Sequence, residues 1–389
     1  MLSPDVLSYI KAILPEVVDL RHTLHAFPEL GYEEFETAKS ICRYLEGIEG
    51  LEIQTALAIT GITVTLGKSK PGKCIALRAD MDCLPIQEKT DKTYQSKRTG
   101  LMHACGHDGH TAILLGVIKV LSKFSDRLNH PVKFIFQPAE EFGAGGKAMI
   151  EAGALDKPEV AAIFGLHGWP HLPLGSIGVR SKEFFAGVSE FRIKFIGKGG
   201  HIAFPKKCIN PLIPAAKVLI AASELTEKFM PTALLGIGAI TGGEFSNVVP
   251  SEAILKCTVR YFNKESRDKL LSELASLCKK YCDENGSNYE MEFVKADYPP
   301  LLNSELAVEL IKKTATDLSY PVSSENFPVM TGEDFAFYLE KIPGAFFALG
   351  VCPADSSYPE LHNDCYDFPD QALVTGISMF CGLAFDFKA

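Results

Sequence analysis

Three short apolar runs in the first half of the chain end on side chains that can bind a metal, and no other feature restricts the fold as strongly. Ile75-Ala76-Leu77-Arg78-Ala79 leads into Asp80-Met81-Asp82. Val132-Lys133-Phe134-Ile135-Phe136-Gln137 leads into Pro138-Ala139-Glu140-Glu141, and Val160 to Leu166 leads into His167. Short apolar runs bounded by polar or turn residues read as buried strands. Helical patterns fall between them, one over residues 111–124 and a short one ahead of Val160. Strand and helix in alternation predict an α/β domain. In open sheets of that class, chemistry gathers beyond the carboxyl ends of the strands. All three runs put their polar residues there.

The densest cluster is Met102-His103-Ala104-Cys105-Gly106-His107-Asp108-Gly109-His110, set directly before the apolar helix. In an extended segment, positions 103, 105 and 107 point to one side. A thiolate and an imidazole two residues apart can then share an ion. A divalent cation would in turn hold Cys105 as thiolate. The competing reading is a buried cysteine flanked by capping histidines. His103 and His110 read as supporting donors. Asp108 either caps the helix beside it or orients a ligating imidazole.

Glu140 and Glu141 are expected to point opposite ways, as neighbours do in extended chain. One carboxylate can then face a metal while the other faces substrate. A base that takes a proton from an activated water needs that second position. Alone, the pair would read as solvated carboxylates. It joins a site because Cys105, His107 and His167 stand at neighbouring strand ends. His362, in a loop with Pro and Asp, is a further candidate, whereas His130 and His171 read as structural or surface residues.

Composition removes several alternatives. The 389 residues are 47% hydrophobic and 22% charged, with a net charge of −9 and no basic block, which argues against nucleic acid as a partner. No apolar run approaches the ~20 residues needed to span a bilayer. Met1-Leu2-Ser3-Pro4-Asp5 has no basic stretch followed by an apolar one, so a cytoplasmic location is the default expectation. The 11 cysteines are odd in number and scattered, unlike a disulfide framework. Cys278 and Cys282 read as one face of a helix. A cysteine hydrolase built on Cys105 with His103 or His107 would leave the other His and Glu residues without a task. The paired motifs of a zinc deaminase, a phosphate loop and a Gly-x-Ser-x-Gly elbow are all missing.

The pattern changes after residue 183. Alternating strands over 188–196, 233–240, 253–262 and 289–295, with helices over 209–228 and 264–285, outline a small α+β sandwich. Three segments follow: 1–183 as the first part of a catalytic domain, 184–295 as an insert, and 296–389 as its second part. Near the N-terminus, residues 5–25 carry helical spacing. Pro15 interrupts it and predicts a kink or a boundary between two helices.

A set of longer motifs in order carries a family resemblance. They are Arg21-His22-x-x-His25-x-x-Pro28-Glu29-Leu30, Ala76 to Asp82, Met102 to His110, Phe136 to Glu141, Gly199-Gly200-His201, Asn247-Val248-Val249-Pro250 and Gly332-Glu333-Asp334-Phe335. Together the chain resembles the M20 metallopeptidase family in its amidohydrolase branch, which holds hippurate hydrolases, auxin-conjugate hydrolases and N-acetyldiaminopimelate deacetylases. The resemblance implies a mixed-sheet α/β domain holding two divalent metal ions, zinc or manganese first, with cobalt or nickel as alternatives. It also implies an inserted α+β lid that mediates dimerisation, hence a homodimer or larger homo-oligomer. Matched motif by motif, Cys105, His107, Glu141, His167 and His362 fall on metal ligands and Glu140 on the general base. His201 resembles a histidine that reaches a neighbouring subunit's active site and steadies the oxyanion. Asn247 and Arg260 fall where relatives hold the substrate's carboxylate or amide. Asp80, His103 and Asp108 are left as supports. The implied activity is hydrolysis of a small N-acyl amino acid, hippurate-like or N-acetylated, to a carboxylic acid and a free amino acid. A metallo-dipeptidase or carboxypeptidase, and a non-catalytic metal-binding protein on the same fold, are the alternatives.

Overall fold

The computed structural model describes residues 2–294, 297–353 and 358–388. The chain forms two compact units. The first comprises Met1–Phe184, Leu302–Phe327 and Asp334–Ala389, and the second Phe185–Leu301 with Pro328–Glu333. Residues 297–301 and 328–333, read from sequence as part of the tail, cluster with the second unit. The expected boundary at 295/296 lies outside the described residues.

The first unit is built on an eight-stranded sheet. Its order is Leu51–Leu57, Gly61–Leu66, Val132–Gln137, Cys74–Asp80, Val160–Pro173, Gly344–Cys352, Ile177–Gly178 and Val322–Ser323. The centre is parallel: Cys74–Asp80 pairs with Val132–Gln137 on one side and Val160–Pro173 on the other, and Gly344–Cys352 follows in the same direction. The Leu51–Leu57 and Gly61–Leu66 pair is antiparallel and closes one edge. Both directions occur, so the sheet is mixed. Cys74–Asp80 and Val132–Gln137 are buried at every position, as parallel strands covered on both faces require. Lys133 fits this pattern because its Nζ donates to backbone carbonyls of Ala154, Asp156 and Pro158.

One cover layer contains the helices Pro4–Ala26, His107–Lys123 and Gln371–Asp386, which pack against one another. The apolar face of the first helix (Val6, Ile10, Ile13, Val17, Leu24) is buried throughout. Pro15 therefore does not divide it. A proline costs a helix one N–H bond, but here the buried face runs unbroken on both sides of it and holds the 23 residues as one element. The helices approach closely through glycine. A Cβ on Gly116 would lie 2.7 Å from Ile377 Cδ1, and one on Gly376 would lie 2.5 Å from Ile113 Cδ1.

The second unit carries a four-stranded antiparallel sheet, Ala233–Thr241, Glu252–Tyr261, Gly187–Ile196 and Asn288–Phe293. Helices Leu212–Phe229 and Lys264–Asn285 pack on one face. Alternation along Gly187–Ile196 sends Phe191, Ile193 and Phe195 into its core. Cys278 and Cys282 lie in the same core on the long helix.

Candidate metal centre

Cys105 and His107 meet by a route other than an extended segment. Gly106 takes φ +84°, a left-handed conformation glycine adopts without strain, and the helix begins at His107 rather than 111. This turn brings ligand atoms of Cys105, His107 and His167 within 4.8 Å of one another. Cys105, Glu141 and His362 form a second such group, and His107, Glu140 and Glu141 a third. Cys105 Sγ is common to the first two, 3.3 Å from His167 Nε2 and 3.3 Å from His362 Nε2. Glu141 Oε1 lies 3.3 Å from His362 Nε2.

Local structure explains each placement. The strand bearing His167 does not stop there but runs on to Pro173. Its register with Cys74–Asp80 ends at the pair Arg78 and Gly165, while pairing with Gly344–Cys352 continues past His167. One edge is thus open at the position of the imidazole. His167 Nδ1 donates to Gly168 O at 2.8 Å, which leaves Nε2 for the cluster. His362 has φ +64°, and its N–H donates to Ala104 O at 2.9 Å, so its loop is tied to the backbone next to Cys105. Glu140 and Glu141 lie not in extended chain but on a short helical turn, Glu140–Gly143, entered through Ala139 at φ 53° and ψ 45°. Adjacent side chains there diverge by about 100° rather than about 180°. They still take different directions, and both stay beside His107.

Two residues fix this arrangement from behind. His107 Nδ1 donates to Asp82 O at 2.9 Å and lies 3.2 Å from Asp82 Oδ1. Asp82 Oδ2 accepts from Glu141 N–H at 3.1 Å. Asp82 was not singled out from sequence. Its signal was present in Asp80-Met81-Asp82, where only the first carboxylate was given a role. Asp80 accepts from Arg78 Nη1 at 2.6 Å and from His110 Nδ1 at 2.7 Å. His110 Nε2 accepts from Gly168 N–H at 2.9 Å, so both ring nitrogens are engaged and the tautomer is set. Although Asp80, His107 and His110 also lie within 4.8 Å, His110 serves there as a brace between the Asp80 strand end and the His167 strand.

The donors fit a divalent cation. His107 Nε2 is buried and makes no hydrogen bond among the described residues. Burial, with the charges of Glu141, Glu140 and Asp80, pushes the Cys105 thiol well above its usual range. Burial pulls His107 down, but the Asp80 and Asp82 charges overcome it and raise its pKa to about 10. Burial, aided by His110, drives His167 well below the normal histidine range. By themselves these groups hold a neutral thiol in a cluster of histidines and carboxylates. A cation reverses that balance by stabilising the thiolate and the neutral imidazoles that ligate it.

The other expected supports differ from the sequence reading. Asp108 does not cap the helix; the cap position is Gly106 and no side chain caps it. Asp108 Oδ2 instead accepts from Arg21 Nη1 at 3.2 Å and from His25 Nδ1 at 2.9 Å. His103 is buried, and neither ring nitrogen has a hydrogen bond among the described residues. Burial lowers its pKa to about 4, so it is neutral. Burial also pulls on His25, but the Asp108 charge and the hydrogen bonds His25 donates to Asp108 and Glu88 outweigh it and raise the pKa to about 9. A raised histidine stabilises the fold fully below its unfolded value of 6.5, and that stability is lost as pH climbs towards about 9. Thermal melts across this window are expected to show a falling midpoint in the wild type and a flatter profile in His25→Gln.

His201, Asn247 and Arg260 all belong to the second unit. His201 is exposed, and its Nδ1 accepts from Ala203 N–H at 3.1 Å. The strand pairs His201 with Val248 and Gly200 with Val249, and Ile202 N–H donates to Asn247 O at 3.1 Å, which places Asn247 one position along from the partner of His201. Arg260 is half-buried on Glu252–Tyr261, where burial lowers its pKa, and it donates to Thr258 Oγ1.

A Cys/His/Glu centre beyond the carboxyl ends of a covered mixed sheet is the arrangement of a metal-dependent hydrolase. The model of peptidase family M20/M25/M40 matches residues 76–386, and the chain belongs to this family. It is 36% identical to an N-acetylcysteine deacetylase of Bacillus subtilis (strain 168) over 379 residues, covering 96% of this chain and 97% of that protein. It is 34% identical to IAA-amino acid hydrolase ILR1-like 4 of Arabidopsis thaliana, covering 95% and 84%. Among solved structures, the Bacillus subtilis YXEP protein, a dinuclear metal binding peptidase from the M20 family, superposes with a TM-score of 0.84 at 34% identity, covering 96% of this chain and 98% of that one.

Proposed function

We propose that the protein hydrolyses the amide bond of N-acyl amino acids, releasing a carboxylic acid and a free amino acid. The observation that carries this reading is the position of Glu140, a buried carboxylate within 4.8 Å of His107 and Glu141 at the edge of the Cys/His/Glu centre. Cys105, His107, Glu141, His167 and His362 are the groups that would hold two divalent ions. Zinc suits this donor set, and manganese, cobalt and nickel are tolerated by it. Bound ions of this kind polarise a carbonyl and lower the pKa of water. Glu140 takes the proton from the attacking water and returns it to the leaving nitrogen. Asp82 keeps His107 and Glu141 in register during this exchange, and His110 keeps the His167 strand in place.

His201 is assigned to the oxyanion of a neighbouring subunit in a homodimer. Asn247 and Arg260 are assigned to the substrate's carboxylate or amide. The half-buried guanidinium of Arg260, with a hydroxyl as partner, supports that role. No helix among the described residues is long and apolar enough to cross a membrane, and a cytoplasmic site of action agrees with that. Hippurate-like and N-acetyl amino acids are the substrates to try first.

A panel of N-acyl amino acids, dipeptides and peptides with a free C-terminus tests the reading on metal-free and metal-reconstituted protein. Metal-dependent amine release from the acylated amino acids is expected. Preference for the peptides would favour a peptidase. No release from any compound by metal-loaded protein would leave only metal binding.

A further inference from the structure

The turn that presents Glu140 is entered through an alanine in a backbone conformation alanine rarely takes. At φ 53° and ψ 45°, Ala139 lies in the left-handed region, which a residue with a Cβ takes only at an energetic cost. Such a conformation persists only where the surroundings hold it. Here they do. Ala139 O accepts from Gly143 N–H at 3.1 Å and Gly145 N–H at 3.1 Å. Gly31 packs so close that a Cβ on it would lie 2.8 Å from Ala139 Cβ. Ala139 N–H donates to Glu34 Oε1 at 2.9 Å, across 105 positions of sequence.

Glu34 has no evident task of its own. It stands at the start of helix Phe35–Leu45 yet makes no side-chain cap bond there. It is fully buried. Its second oxygen accepts from Thr60 Oγ1 at 2.5 Å. Burying a carboxyl group is costly unless its oxygens are hydrogen-bonded, and both of the partners named here are neutral donors.

We propose that Glu34 is a positioning residue for the general base: its carboxyl group holds Ala139 N–H in the left-handed turn and thereby fixes the direction of Glu140. This rests on the assignment of Glu140 as the base. Burial raises the Glu34 pKa to about 7, against the hydrogen bonds from Thr60 and the Ala139 backbone. The turn therefore needs an acceptor more than a charge. A glutamine accepts from Ala139 N–H with the same geometry and can donate to Thr60.

Glu34→Gln, Glu34→Ala and Glu34→Asp test this in the metal-saturated protein, by kcat, KM, metal content and thermal melting. Glu34→Ala is expected to lose about 10–100-fold in kcat, the range seen when groups that orient active-site residues are removed. Its KM should stay within about threefold and its melt should remain cooperative. Glu34→Gln should keep kcat within about threefold of wild type. Glu34→Asp keeps the charge but is one methylene too short. It should behave as Glu34→Ala, and it takes its place if the alanine variant does not fold. In a Glu140→Gln background, Glu34→Ala should cost nothing further, because the group it positions is gone. Wild-type kcat in both Glu34→Ala and Glu34→Asp overturns the proposal. So does an equal loss in Glu34→Gln, or an undiminished effect of Glu34→Ala beside Glu140→Gln. Wild-type turnover in Glu140→Gln alone would instead remove the base assignment.

Discussion

Glu140→Gln is expected to keep its bound metal and its fold while losing turnover by about three orders of magnitude. The amide matches the carboxylate in shape, so neighbouring packing is preserved. It cannot accept a proton, so the attacking water keeps its own. Glu141, the neighbouring carboxylate proposed as a ligand, is untouched by the change, which is why metal content should hold. Parallel measurement of metal by elemental analysis and of amine release separates the two functions. Turnover close to wild type would move the base to another group.

Cys105→Ala should do the reverse and empty the centre. Its sulfur lies 3.3 Å from His167 Nε2 and 3.3 Å from His362 Nε2, the imidazoles proposed to share the metal site, so its truncation is expected to weaken metal binding. Loss of this proposed ligand should reduce metal retained after dialysis and lower affinity in a calorimetric titration. A bound ion stabilises only the folded chain. The rise in melting temperature on adding metal, expected in wild type, should therefore shrink in the variant. Unchanged stoichiometry and affinity would count against Cys105 as a ligand.

How much of this could be read from the sequence follows from what local pattern encodes. Apolar runs mark covered strands, and the residues just past them lie at one end of the sheet. That places Asp80, Glu140 and His167 near one another, and the Cys105–His107 pair joins them through its ligand chemistry rather than through an apolar run. Pattern does not encode the turns between. No glycine or asparagine at position 139 announces its left-handed backbone, because contacts from Gly31 and Glu34 impose it from far along the chain. His110 reads as a supporting donor from sequence, and its bonds to Asp80 and Gly168 show which two elements it braces. Asp82 was overlooked because two carboxylates at one strand end look equivalent in sequence. Their difference lies in which neighbour each one faces. Of the two outcomes that Pro15 predicts, the boundary does not occur: local propensity favours a break, and tertiary burial of a continuous apolar face outweighs it.

The bond between His362 N–H and Ala104 O joins regions of chain made early and late in synthesis, and Cys105 and His362 are 257 residues apart in sequence. Contacts of such separation form late, since a long loop must close before they contribute. A nascent chain that has emerged through residue 350 holds every strand-end ligand but lacks the histidine that completes the second group. Such a chain also lacks the buried helix Gln371–Asp386, so the proposed second metal group and the helical cover over the sheet are completed by the same last stretch of chain.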